Sequence, residues 1–318
     1  MSPWSIGGMR LLDRRWQVRL KGVDLAVFAA CSLAALTLVG PLRWVPGALP
    51  SAAGFAVFAL GPLVLRTLQA RWPRGRLLRW AADFWLLPVL AVGHELLNPL
   101  VDGLNPVLRD AQLAMLEERL FGLQVSVLIS NAVPPALQDV LMVCYYGHFI
   151  WALVLGVVLY FHKRTAAFDE FLLALSLFFF LGYAAYIMVP AIGPRLFLAS
   201  AFPGPLKGVI VTPFLESLML TPRFVRDCFP SGHTGVTLLV LFYAFRFSRR
   251  VFWTVLLPGL GLIVATLSGR FHYAVDLVAV VPVVLVVAGC AMAVSRAASR
   301  RGGFAPERSV SMDAIVPP

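Results

Sequence analysis

Charge is what this 318-residue sequence has least of: Asp, Glu, Lys and Arg make up 14% of it, against 59% hydrophobic residues and a mean hydropathy of +0.82. A soluble domain of this length is not covered with so little polar surface, so the composition reads as a polytopic membrane protein. Acid is scarcer than base, with 16 Asp and Glu against 27 Lys and Arg. That excess does not mark a nucleic-acid binder. The basic residues fall in short clusters between apolar runs and form no face with interleaved aromatics. Cysteine is rare too: Cys31, Cys144, Cys228 and Cys290 are scattered, which excludes a disulfide framework or zinc spacing, and three of them lie in apolar runs where they act as small apolar residues. Only five histidines occur, so where they stand matters.

What is present is a series of apolar runs, at about 25–41, 53–68, 80–98, 139–161, 168–191, 232–247, 251–267 and 273–294. Lipid offers backbone groups no partners, so each run is expected to be a spanning helix. The basic start is followed by an apolar run without a convincing small-residue cleavage site, and is read as leading into a first membrane helix rather than as a signal peptide. Eight crossings put both termini on one side. Most of the basic residues gather there: Arg10, Arg14, Arg15, Arg19 and Lys21; Arg66, Arg71, Arg74, Arg76 and Arg79; Lys163 and Arg164; Arg246, Arg249 and Arg250; Arg296, Arg300, Arg301 and Arg308. The other side holds Arg43, Arg109, Arg119, Arg195, Lys207, Arg223, Arg226 and Arg270. The richer side is expected to be cytoplasmic. The organisation that follows is a cytoplasmic N-terminus at 1–24, two membrane helices within 25–79, a six-helix membrane domain at 80–294 and a polar cytoplasmic tail at 295–318, read as disordered.

Three short segments then meet at one depth on the exterior side: Gly193-Pro194-Arg195, Cys228-Phe229-Pro230-Ser231-Gly232-His233, and Gly269-Arg270-Phe271-His272-Tyr273-Ala274-Val275-Asp276. His272 and Asp276 are four apart and, on a helix, share a face. The carboxylate can then fix one ring nitrogen and leave the other as a nucleophile, or the two can form a structural pair. His233 follows a turn whose Ser231 and Gly232 amide stand at a predicted helix N-terminus, a favourable place for an anion or simply an N-cap. A protonated His233 there can donate to a leaving oxygen. Arg195 and Arg270 can each grip two phosphate oxygens, or snorkel to headgroups. Asp227 can bind a polyol hydroxyl or cap a helix. His94, Glu95, Tyr145, Tyr146 and His148 lie near the same face, where the simpler reading is mutual satisfaction between helices.

Two exterior connections are long, about 99–138 and 192–230, and loops of that length usually carry structure or function. The first shows a stripe of Val107, Leu108, Ala111, Ala114, Met115 and Leu120 opposed by Arg109, Asp110, Gln112, Glu117, Glu118 and Arg119, ended by Pro134-Pro135. The stripe predicts an amphipathic helix lying in the interface beside the site, or a packed cap.

Together these motifs resemble the type 2 phosphatidic acid phosphatase superfamily, and within it the inositol phosphotransferases related to inositol phosphorylceramide synthase, over about 80–294. The resemblance implies an all-α polytopic bundle: a six-helix catalytic core preceded by two helices. It implies that His272 attacks phosphorus to form a phosphohistidine, that Asp276 orients it, that His233 is the acid for the leaving group, and that Arg195 and Arg270 cradle the phosphate. The chain has Thr266 where the common third motif has arginine, supplying Arg270 instead, and Gly193-Pro194-Arg195 without an upstream lysine. Both departures resemble the inositol branch. The implied activity is transfer of a phosphoryl or phosphoinositol-type headgroup from a lipid donor to a lipid alcohol, at the exterior (periplasmic or lumenal) face of a cell membrane. Hydrolysis of a lipid phosphate is the alternative. The substrate partner is a phospholipid or lipid phosphate, and no metal or other cofactor is expected, since histidine, arginines and a helix N-terminus supply the charge stabilisation. A non-catalytic lipid-phosphate binder or transporter, and a metal-dependent hydrolase with His233, His272 and Asp276 as ligands, are the readings from other classes.

Overall fold

The computed structural model describes residues 18–162, 164–218 and 226–302, with no strand among them. The predicted N-terminal segment before residue 18, Lys163, Arg223 and the tail beyond 302 lie outside the described residues.

The helices run α1 (Gly22–Thr37), α2 (Ala48–Arg71), α3 (Arg76–Asp83), α4 (Leu86–Leu104), α5 (Asp110–Phe121), α6 (Val125–Ala132), α7 (Pro135–Tyr146), α8 (His148–Phe161), α9 (Thr165–Met188), α10 (Pro194–Phe197), α11 (Val211–Leu218), α12 (Gly232–Phe247), α13 (Arg249–Ser268) and α14 (Ala274–Gly302). α2, α9, α13 and α14 are each long and apolar enough to cross a membrane. Two further runs are bent pairs, α3 with α4 at 46° and α7 with α8 at 45°. The expected eight crossings therefore reduce, by length and apolarity, to four, or six with the bent pairs counted as spans. α1 and α12 have 16 residues each, about 24 Å of helix, short of a hydrocarbon core of about 30 Å. The result is the expected all-α membrane bundle.

The breaks have local causes. Between α3 and α4 the chain carries Asp83, which is buried and held by Lys21 Nζ at 2.9 Å, Arg66 Nη1 at 2.8 Å and the Tyr160 hydroxyl at 3.0 Å. Arg66 also reaches Asp24, and Lys21 reaches Asp169, each at 2.8 Å. This network ties α1, α2, α3, α8 and α9 together at the end of α9 remote from the histidine motifs. Between α7 and α8 the break falls at Gly147, whose N–H caps α7 through Val143 and Cys144 carbonyls.

One apolar cluster runs through the bundle from Val23 and Phe55 to Phe171, Leu239, Val255 and Val287. The two leading helices thus share their core with the rest. A second, small cluster of Leu113, Ala114, Ala191, Cys228, Tyr273 and Val275 sits under α5 and joins all three motif segments.

Candidate active site

His233 stands in the first turn of α12, and His272 in the turn that precedes α14. Their ring centroids are 5.9 Å apart. Local chemistry sets each position. Ser231 is the N-cap of α12, its Oγ accepting from Thr234 N at 3.3 Å and donating to Thr234 Oγ1 at 3.0 Å. The hydroxyl considered as a phosphate ligand is fully buried in that capping role. Gly232 lies where a Cβ would come within 2.9 Å of the Tyr186 hydroxyl. His233 is stacked on Tyr145 at 4.3 Å and meets the edge of His148 at 4.3 Å.

His272 and Asp276 meet, with His272 Nδ1 3.3 Å from Asp276 Oδ2, but not on one helical face as the spacing predicts. α14 begins only at Ala274. The turn before it is held away from helical geometry by the Thr266 carbonyl, which accepts from both Phe271 N and His272 N, and by Arg270, whose φ of 66° is left-handed. Asp276 then reaches back from the first turn. Its Oδ2 also accepts from Tyr273 N at 2.9 Å and from Cys228 Sγ at 3.0 Å. Asp276 Oδ1 is buried without a hydrogen-bond partner among the described residues. Burial pushes the Cys228 thiol well above its usual value, so it is a donor here.

The arginines are placed differently from the histidines. Arg195 forks onto Glu216 of α11, Nη1 to Oε1 at 2.9 Å and Nη2 to Oε2 at 2.6 Å. Arg270 donates Nε to Ser130 Oγ at 2.8 Å and Nη1 to the Gly204 carbonyl at 2.7 Å, with its guanidinium 4.2 Å from the Phe202 ring centroid. Both line a cavity of about 300 Å³ with Glu216, Phe202 and Gly204, and neither histidine is in that lining. Phe271 lies 5.8 Å from the Arg195 guanidinium and stacks on Tyr145 at 4.4 Å, which in turn stacks on His233. Two aromatic rings thus stand in the chain of contacts between Arg195 and His233. Burial and the neighbouring Arg195 lower the Arg270 pKa from its ordinary value, as expected where two cations share a partly buried space.

The motif segments are joined by backbone. Arg195 N donates to the Arg270 carbonyl at 2.8 Å and Cys228 N to the Ala191 carbonyl at 3.2 Å. Gly193, at φ 81°, sits where a Cβ would be 2.6 Å from the Phe271 carbonyl, so only glycine allows this approach. Asp227 Oδ2 lies 3.3 Å from His94 Nε2, which gives His94 a place beside the motif. His148 Nδ1 is 3.2 Å from the Tyr145 carbonyl. Arg226 pairs with Asp102 and also donates to the Pro106 carbonyl at 3.0 Å.

The long connection predicted at 99–138 contains α5 and α6, and α5 buries a face that draws on both predicted sets. Asp110, Leu113, Ala114 and Glu117 are buried, while Met115 and Leu120 of the predicted stripe are 51% and 60% exposed. The reason is that both acids have backbone to bind. Asp110 accepts from Ile192 N and Gly193 N at 2.9 Å and from the Tyr273 hydroxyl at 3.0 Å. Glu117 accepts from Val125 N at 3.0 Å and Ala274 N at 3.2 Å. Burial pushes the Glu117 carboxyl above its usual range. Asp139 similarly fixes the start of α11, accepting from Val209, Ile210, Val211 and Thr212 amides at 2.8–3.1 Å. Sequence reasoning missed Asp110, Glu117, Asp139 and Glu216 as site-building residues. The seven-residue spacing of Asp110 and Glu117, two helical turns, was the one signal available.

No curated protein matches the chain, and no solved structure does. A comparison with protein families matches residues 111–290, more than half of the chain, to the PAP2 superfamily, a span that holds Arg195, His233, His272 and Asp276. By that match the chain belongs to the PAP2 superfamily, whose members are generally phosphatases or phosphotransferases.

Proposed function

We propose that this protein is a membrane phosphotransferase that moves a phosphoryl or phosphoinositol-type headgroup from a lipid donor to a lipid alcohol through a phosphohistidine on His272. The observation that carries the reading is the pair of imidazoles 5.9 Å apart with Asp276 on Nδ1 of one of them. A hydrogen bond from Nδ1–H to Asp276 leaves the Nε2 lone pair for phosphorus. His233 protonates the departing alkoxide, and by microscopic reversibility takes the acceptor's proton in the second half. Arg195 and Arg270 hold the non-bridging oxygens after Arg195 exchanges Glu216 for phosphate. The Gly232 amide at the start of α12 adds a donor, and Asp227, paired with His94, serves an acceptor or headgroup hydroxyl. On the eight-crossing reading of the sequence, the distribution of basic residues assigns this chemistry to the exterior membrane face.

Hydrolysis shares the first half-reaction and differs only in water completing the second. The superfamily-level match supports this second reading equally, and the departures at Thr266 and Arg270 favour transfer. Purified protein supplied with labelled phosphatidate or phosphatidylinositol, with and without diacylglycerol or ceramide, separates them. Transfer predicts a labelled lipid product that depends on acceptor, and free phosphate or inositol phosphate as the sole product excludes it. Acid-labile labelling that survives in His272→Ala excludes the phosphohistidine.

A further inference from the structure

Cys228 has no part in phosphoryl transfer as proposed, yet it touches the groups that prepare the nucleophile. Its Sγ is 3.0 Å from Asp276 Oδ2 and 3.7 Å from His272 Nδ1, which are themselves 3.3 Å apart. All three residues are buried, with 3%, 0% and 4% exposure for Cys228, Asp276 and His272. We propose that Cys228, His272 and Asp276 form a binding site for a thiophilic divalent cation of the zinc or cadmium class, and that its occupation silences the nucleophile.

The distances fit. A tetrahedral ion about 2.3 Å from sulfur and about 2.0–2.1 Å from nitrogen and oxygen holds its ligand atoms about 3.3–3.6 Å apart. Each edge of the Cys228–His272–Asp276 triangle lies within about half an ångström of that. Asp276 Oδ1, buried without a hydrogen bond among the described residues, is a further oxygen on the same carboxylate. Charge fits as well. One thiolate and one carboxylate neutralise a dication, so the ion and its two anionic ligands together carry no net charge in a buried place. The donor set of thiolate, imidazole and carboxylate selects zinc-like ions over magnesium or calcium, which take oxygen ligands.

The protons balance simply. The Cys228 S–H bond breaks and its proton goes to water as the sulfur–metal bond forms. The metal takes the lone pair of His272 Nδ1, so the single N–H of the neutral imidazole resides on Nε2. No electron is transferred. Nε2 then has no lone pair for phosphorus, and the hydrogen bond that orients the ring is replaced by a metal bond. Cation binding stands on the coordinates by themselves; the loss of activity rests on the proposed role of His272.

The test is a titration of the full-length protein in detergent micelles, free of chelator and added thiols, with cadmium alone. The readout is the ultraviolet sulfur-to-cadmium charge-transfer band, with turnover of a lipid phosphate measured in parallel. We expect the band to saturate at one cadmium per chain and to be absent in Cys228→Ala, which retains the other three cysteines. Turnover should fall with the same stoichiometry and return on adding a chelator. The cadmium concentration that halves the remaining turnover should rise at least tenfold in Cys228→Ala and in Cys228→Ser, the latter keeping a hydroxyl donor to Asp276 should the alanine variant fail to fold. Absence of the band in the wild type, or its persistence in either variant, overturns the site. A band that saturates while turnover is unaffected leaves the site standing and overturns the role of His272 instead.

Discussion

Asp110 Oδ1 accepts the hydroxyl of Tyr273 at 3.0 Å and the amide of Gly193 at 2.9 Å, joining the residue after His272 to the segment that carries Arg195. One carboxylate of α5 therefore sets the spacing of two motifs 80 residues apart in the chain. Removing it leaves two amides and a phenol buried without acceptors, each costing about 1–3 kcal/mol. We expect Asp110→Ala to destabilise the protein by several kcal/mol. Asp110→Asn, which keeps one acceptor oxygen, should fold and lose at least tenfold in kcat with a smaller change in KM. Thermal unfolding in detergent and steady-state kinetics check both; an Asn variant with unchanged kcat removes α5 from site-building.

The two histidines differ in what they serve, and so should their variants. His272→Ala is expected to abolish turnover for every phosphate ester, because it removes the proposed nucleophile. His233→Ala should slow a lipid phosphate, whose alkoxide needs a proton, far more than an aryl phosphate, whose leaving group does not; general acids contribute about 10²–10⁴-fold. A rate comparison over leaving groups of graded basicity is the measurement, and equal losses along the series refute the acid role.

Arg195 and Glu216 form a fork at 2.9 and 2.6 Å, the geometry a phosphate would take with the same guanidinium. Under the proposed role of Arg195, binding the donor requires that the carboxylate leave. Glu216→Gln should lower the donor KM and the inhibition constant of inorganic phosphate by about five- to tenfold, since a neutral amide competes less well, at unchanged kcat. A rise in KM would mean that Glu216 holds Arg195 in place for substrate instead of competing with it.

Arg66 is 5% exposed and pairs with Asp24 and Asp83, remote from the site. Truncating one partner of a buried ion pair costs about 3–5 kcal/mol because the other charge stays behind. Arg66→Ala should lower the unfolding temperature in detergent markedly. Protein that stays folded should keep its donor KM. A variant as stable as wild type would show that water reaches this network.

Much of the fold was legible because lipid imposes one rule: a segment that spans it satisfies its own backbone. Hydropathy therefore located α2, α9 and α13 to within about five residues and the start of α14, but α14 continues to Gly302, eight residues into the stretch read as a disordered tail. The break between α3 and α4 was not legible, since Asp83 reads as one tolerated charge until Lys21, Arg66 and Tyr160 are seen around it. For α5 the pattern did not show that Asp110 and Glu117 turn inward beside Ala114 while Met115, Leu120 and Glu118 stay exposed, because donors that hold the two acids come from distant segments.

Residue order alone was enough to establish a helical membrane bundle and to single out the motif segments that carry His233, His272, Arg195 and Arg270, since hydrophobic length and motif spacing are properties of single segments. Where each of those side chains ended up was a matter of packing between segments. Three-dimensional contact put Tyr145 and Phe271 between His233 and Arg195, gave Arg195 to Glu216, and set Cys228 against Asp276. Such pairings depend on distances between parts of the chain far apart in number, and no local spacing encodes them.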